Sequence, residues 1–298
     1  MVGTGIGTAY AEHLTDADLR LLASASPGPA EVDELRRNPG RIPGLLDQPR
    51  VFEAVFGAVD RSPALVSPFL TFSVAVSRAA GDLASATHVP ERSGLRGRVP
   101  LFDAPLLRGF LEEPARRLFL AELLASFTRV ASGRYRVRRG SGWQTRRFSE
   151  LDPVRMAGLL EAVPPAERPG VFRRLGDVAL FLTGIFPGYA ATAFGPVDAA
   201  RLLPAAREIT SGGDAAEGGL LVAYPGAAPA IELLERLGAR WYRNACELAS
   251  VRSASLAVVA DVADRFGPGR RVLNHIADRY LFPAGNPWFP APGGQQAR

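Results

Sequence analysis

One segment, Val171–Tyr189 (VFRRLGDVALFLTGIFPGY), restricts the folds open to this chain more than any other. Val171, Leu175, Val178, Leu182 and Ile185 recur at spacings of 4, 3, 4 and 3, which is one face of a helix. A second stripe, Val178, Phe181 and Ile185, widens the apolar face. Gly176, Ala179 and Thr183 form a third stripe of small residues, where a neighbouring backbone can approach closely. A helix apolar on most of its circumference is buried in a core or in a membrane. The uninterrupted apolar run covers only Val178–Leu182, whereas a bilayer span needs roughly 20 apolar residues. The spacing therefore predicts a central core helix, ended by Pro187 and Gly188. Burying about ten such side chains contributes ~15–30 kcal/mol before chain entropy is subtracted. Asp177 interrupts the apolar face. It reads either as an intrahelical ion pair with Arg173 or Arg174, or as a buried functional carboxylate.

The remaining segments repeat the helical pattern. Thr15 is placed to cap a helix over Leu14–Ala25, with Asp16 and Asp18 in its first turn. Short helices follow over Pro29–Arg37, Ile42–Asp47 and Pro49–Val59, with proline at first-turn positions. A long, mostly buried helix starts near Pro68, and Thr87–Leu101 reads as a loop. Asp103–Glu113, Pro114–Ser132 and Asp152–Val163 continue the series. Pro196–Ile209, Ala228–Ala249, Val251–Phe266 and Gly269–Phe282 complete it, with Gly267-Pro268-Gly269 as the break between the last two. Thr210–Gly219 is small, polar and glycine-rich and reads as a mobile loop. Arg116 and Arg117 sit at a helix N-terminus, which the macrodipole disfavours, so they are assigned to a partner or to solvent. The GTGIGTA start has half of a dinucleotide fingerprint but no preceding strand, and reads as a flexible tail over residues 1–11. Residues 290–298 read as a second tail, with Trp288 and Phe289 packing back on the body. The fold expected is mainly α: a single domain, 1–298, of about ten helices with one inserted basic β-hairpin at 133–148.

Composition excludes several chemistries. All 35 basic residues are arginine. Without lysine there is no Schiff base, no GxxxxGK[ST] phosphate loop and no ATP-binding lysine of the kinase type. A single cysteine, Cys246, precludes an internal disulfide and suits a reducing cytoplasm. Its mid-helix setting does not favour a thiolate. Met1–Tyr10 has neither the charge nor the apolar run of a signal peptide. A cytoplasmic protein with no membrane partner is expected. His13, His88 and His275 form no metal-binding pair with an acidic residue or another histidine, so neither a metal nor a cofactor is assigned. His275 and Asp278, three apart, could form an acid/base couple or a surface ion pair.

The strongest local signal is RYRVRR–GSG–WQTRRF, whose alternation and glycine turn predict the hairpin. Arg134, Arg136, Arg138, Arg139, Arg146 and Arg147 are interleaved with Tyr135, Trp143 and Phe148, and no acidic residue lies between Glu122 and Glu150. Guanidinium groups hold phosphate by forked hydrogen bonds, and aromatic rings stack on bases. The same charges also suit a solvated edge that resists sheet-to-sheet association. The reading is a non-catalytic binding or regulatory protein. Its anion-binding set is Arg134, Arg136, Arg138, Arg139, Trp143, Arg146 and Arg147, and nucleic acid stands first among anionic partners. Two alternatives remain open. One is an enzyme or small-molecule binder with a pocket between helices, built from Asp177, Tyr189, Tyr242 and His275. The other is a scaffold subunit whose hairpin meets a protein partner.

Overall fold

The computed structural model describes residues 2–25, 31–57, 66–93, 97–101, 103–207, 228–283, 288–290 and 292. The protein is mainly helical, as the periodicity predicts, and carries the inserted hairpin. Two compact units are present. Unit one comprises Met1–Val89, Pro100–Arg129 and His275–Phe289, and unit two comprises Pro90–Val99, Val130–Asn274 and Pro290–Arg298.

Unit one contains α1 (Val2–His13), α2 (Asp16–Ser24), α3 (Val32–Arg37), α4 (Ile42–Leu46), α5 (Pro49–Phe56) and α6 (Pro68–Ser85). It also contains α7 (Ala104–Leu111), α8 (Pro114–Ser126) and a π-helical turn, Ala277–Leu281. The glycine-rich start is helical where a flexible tail is expected. Tyr10 is buried, and Gly7 lies against the backbone of Pro39 and Gly40 so closely that a Cβ there would clash. Most of the first-tail reading is thus corrected by packing. Of residues 290–298, only Pro290 and Pro292 are described.

Asp18 joins two helix starts. It closes a capping box with Thr15, taking the Thr15 backbone N–H at 2.8 Å. Its other oxygen accepts the backbone N–H of Ser67, the N-cap of α6, at 2.9 Å. One buried carboxylate therefore satisfies donors at the starts of both helices. Arg116 and Arg117 act at the opposite kind of terminus. Arg116 donates to the Phe110 carbonyl at 2.6 Å and the Gly109 carbonyl at 2.9 Å, and Arg117 donates to the Leu111 carbonyl. Both point back at the last turn of α7, whose carbonyls lack helical donors. The assignment of these arginines to a partner or to solvent is corrected accordingly. Trp288 and Phe289 do pack back, with Phe289 stacked on Phe72 at 5.4 Å and Trp288 edge-on at 5.8 Å.

The segment expected to be a loop over 87–101 instead holds β1 (Val89–Ser93) and β2 (Gly97–Leu101), a two-stranded sheet. Its Pro and Gly content hid the short strands.

Unit two begins with the hairpin β3 (Ser132–Arg139) and β4 (Gly142–Ser149). Then follow α9 (Pro153–Ala157), a 3₁₀ turn Gly158–Glu161, α10 (Arg168–Ile185), α11 (Pro187–Ala193) and α12 (Pro196–Arg207). The unit continues with α13 (Ala228–Leu248), α14 (Ala254–Asp264) and α15 (Phe266–Ile276), of which the unit takes the residues up to Asn274. Thr210–Gly219 lies outside the described residues. Helix α10 is the expected core helix, and α13 is its main neighbour. The small-residue stripe sets how closely they meet. A Cβ on Gly176 would lie 2.4 Å from the Tyr242 ring, and one on Gly238 would lie 2.9 Å from the Ala179 Cβ. Gly184 receives Leu273 of α15 in the same way. Gly267-Pro268-Gly269 does not break the last helices. It forms the start of α15, where proline is tolerated, and the interruption falls at Arg265.

Among the described residues, no single helix is long and apolar enough to cross a membrane. Only the pair Pro165–Ile185 and Pro187–Ala193, bent by 113°, reaches that length and composition together.

Candidate functional site

Strand register decides which hairpin side chains act together. Arg134 faces Arg147, Arg136 faces Thr145, and Arg138 faces Trp143. Directly opposed residues share a face, and alternate residues along a strand do too. Arg134, Arg136, Arg138, Trp143, Thr145 and Arg147 therefore form one face, and all six are exposed. The turn between the strands is tight, with Gly140 at φ +58°, a conformation that favours glycine.

The opposite face seats the hairpin. Val137 is buried, and Tyr135, Arg146 and Phe148 are half-buried. The Tyr135 hydroxyl lies within 2.5 Å of where a Cβ on Gly158 would stand. The Phe148 ring covers its cross-strand partner Gly133. Arg146 pairs with Glu161 at 3.1 Å, so the structure separates it from the outer arginines. Arg139 faces Gly142 in the register, and its side chain lies outside the described residues.

At the base, Glu150 and Ala131 exchange backbone and side-chain hydrogen bonds: Glu150 N–H to the Ala131 carbonyl at 3.0 Å, and Ala131 N–H to Glu150 Oε2 at 2.8 Å. Arg174 of α10 reaches that same carboxylate oxygen at 3.1 Å and lies 3.9 Å from Asp177. Asp177 in turn accepts the hydroxyl hydrogen of the buried Tyr242 at 2.8 Å. A polar chain thus runs Tyr242–Asp177–Arg174–Glu150 from the α10–α13 pair to the hairpin base. Burial, reinforced by the Asp177 charge, pushes the Tyr242 phenol well above its ordinary pKa and keeps it a donor.

The outer arginines differ from those of the seat. Among the described residues, Arg134, Arg138 and Arg147 have no carboxylate within ion-pair distance, and Arg136 lies with its guanidinium carbon 5.5 Å from the centre of the Trp143 ring. Trp143 is 62% exposed. Two arginines, 134 and 147, are directly opposed, an arrangement that destabilises a sheet by itself.

The residues proposed for an interhelical pocket are placed differently. Asp177 and Tyr242 are bonded to each other. Tyr189 is half-buried beside Phe194, its phenol pKa raised first by burial and then by Asp152 and Asp198. His275 belongs to unit one. There it is 9% exposed and meets the Tyr280 ring edge-on at 6.2 Å rather than coupling to Asp278. Its Nε2 is buried without a hydrogen-bond partner. Burial lowers its pKa, Arg279 adds to that effect and Asp82 opposes it. Asp82 is held by the Tyr280 hydroxyl at 2.6 Å, Arg279 at 2.9 Å and Arg78 at 3.2 Å. Asp261 pairs with Arg265, and Asp264 pairs with Arg243. Among the described residues, no group of three acidic, histidine or cysteine side chains is arranged to hold a metal. Cys246 is half-buried, its Sγ donating to the Leu256 carbonyl at 3.5 Å, and burial pushes the thiol pKa up.

Sequence reasoning located the hairpin but missed the residues that hold it: Glu150, Glu161, Arg174 and Gly158. One signal was available, since Glu150 is the first acidic residue after the basic run. Comparison of the chain with family models, with curated proteins and with solved structures gave no match.

Proposed function

We propose that this protein binds nucleic acid, without chemistry of its own, through the outer face of the β3–β4 hairpin. One observation carries the reading: four exposed arginines, without carboxylate partners among the described residues, share a face with an exposed tryptophan. On a solvated edge, charges protect against association, but alternating signs would do so without opposing Arg134 to Arg147. An anionic backbone laid along the face relieves that repulsion. Side chains on one side of a strand recur at about 6.7 Å, so β3 presents a row of evenly spaced guanidinium groups. Forked donors of this kind suit phosphate oxygens. The seat, pinned by Glu150, Arg174 and Glu161, orders the row before any ligand arrives.

Fluorescence anisotropy with a labelled oligonucleotide tests the reading. If three to four phosphates are neutralised, the logarithm of affinity falls with the logarithm of salt with a slope of about −2 to −4. Reversing charge at Arg136 and Arg138 together abolishes this binding. Binding that survives the double reversal with its salt slope intact removes the hairpin from the function.

A further inference from the structure

We infer that the hairpin recognises single-stranded rather than duplex nucleic acid, with Trp143 as the base-stacking platform; this rests on the nucleic-acid reading above. The geometry around Trp143 carries the inference. The indole stands one residue past the Gly140–Gly142 turn and is 62% exposed. Its directly opposed neighbour is Arg138, yet it is Arg136, its diagonal neighbour on β3, whose guanidinium lies over the ring at 5.5 Å. That cation–π contact holds the indole from one side. No second aromatic ring or cation meets it among the described residues. The exposed side is a flat surface flanked by Arg138 and Arg136. A base needs a free π-face to use such a surface. In a duplex both faces of each base are covered by its neighbours, whereas an unpaired base presents them.

A two-stranded ribbon can also enter the major groove of a duplex, where its side chains read base edges. That use calls for hydrogen-bonding side chains aimed at edges from the ribbon's exposed face. On this face the short polar side chains are Thr145 and, at the base of the hairpin, the opposed pair Ser132 and Ser149, of which Ser149 is buried, and Gln144 lies on the opposite face. The face is thus mostly guanidinium groups, which hold backbone phosphate and can also donate to guanine edges, around an exposed indole that would find no free base to stack on in a duplex. No feature of it selects for or against a 2′-hydroxyl, so single-stranded DNA and RNA are both bound.

The test uses the full chain with three probes of equal length: oligodeoxythymidine, oligouridine and a mixed-sequence DNA duplex. The two single strands bind at least ten-fold more tightly than the duplex at moderate salt, and they quench the exposed Trp143 fluorescence. Trp143→Leu weakens single-strand binding by about ten-fold, leaves duplex binding unchanged and abolishes the quench. Its exposed position allows the variant to fold, which thermal unfolding checks. If the duplex binds as tightly as the single strands and Trp143→Leu changes nothing, the single-strand inference is overturned while the nucleic-acid reading stands. If no probe binds at low salt, the nucleic-acid reading fails and takes this inference with it.

Discussion

Arginine is used in two ways in this chain, and the hairpin and the α10–α13 helix pair separate them. In and around the helices, Arg174 is held between Glu150 and Asp177, and Arg270 pairs with Glu235 at 3.1 Å. In unit one, Arg116 closes the end of a helix by donating to its carbonyls. On the outer hairpin face, Arg134, Arg138 and Arg147 have no such partner among the described residues. With no lysine available, every cationic role falls on one residue type. Partnering, rather than residue identity, then distinguishes a structural charge from one left for a ligand. Arg174, Arg270 and Arg116 lie where water is scarce and an orphaned charge costs stability. The unpartnered ones lie where solvent screens them and their loss costs little.

Five changes break or sharpen that contrast. The largest effect comes from Gly176→Val. A side chain there meets the fully buried Tyr242 ring at 2.4 Å, so the ring or α13 must shift. Overpacking of this kind costs about 3 kcal/mol or more, read as a lowered midpoint in urea unfolding.

Arg174→Met tests the comparison most directly. It leaves the Glu150 and Asp177 carboxylates, each largely buried, without their shared cation. A loss of about 2 kcal/mol is expected, with faster amide exchange at Ala131 and Glu150. Arg138→Met on the outer face costs less than about 0.5 kcal/mol. Equal losses from the two variants would remove the distinction drawn here.

A pH titration extends the contrast to His275, whose buried Nε2 has no hydrogen-bond partner among the described residues. The folded state lowers the pKa of His275, so the unfolded chain binds the extra proton first. Stability is therefore complete above the ordinary histidine value of about 6.5 and falls as pH drops below it, with a limiting slope of about 1.4 kcal/mol per pH unit. His275→Asn removes that part of the acid sensitivity, as denaturant midpoints at pH 7 and pH 5 will show.

The smallest effect has the opposite sign. Arg147→Glu places a carboxylate opposite Arg134. It raises stability by about 0.2–1 kcal/mol while weakening oligonucleotide binding. A stabilised hairpin that binds less well is what a face selected for ligand rather than for stability gives.

The sequence revealed what local periodicity and chain chemistry dictate. The 3–4 spacing of Val171 to Ile185 marked α10, Pro68 marked the start of α6, and Thr15 with Asp18 marked a capped helix. Alternation and the glycine turn marked the hairpin, because period two and a left-handed turn leave a local imprint. What stayed hidden depends on distant partners. Val2–His13 reads as flexible because its glycines lower helix propensity, and only the close approach of Pro39 and Gly40 explains Gly7. Arg116 and Arg117 look misplaced on α8 until the end of α7 is seen beneath them. In the candidate site, the arginine content was legible and its division between two faces nearly so, since alternation assigns Arg134, Arg136 and Arg138 to one side. The pairing of Arg146 with Glu161 was not legible, because it depends on where the 3₁₀ turn comes to lie.

The stacking of Phe289 on Phe72 bears on how the chain is made. Unit one draws on Met1–Val89 and Pro100–Arg129 and again on His275–Phe289, with most of unit two synthesised between. At about 5–20 residues per second, the partner of Phe72 arrives roughly ten to thirty seconds after the helices it completes. Throughout that interval the nascent protein carries an uncovered aromatic surface. A message truncated before codon 288 would leave that surface permanently bare, giving a product prone to aggregate even though its hairpin and the α10–α13 pair were fully encoded.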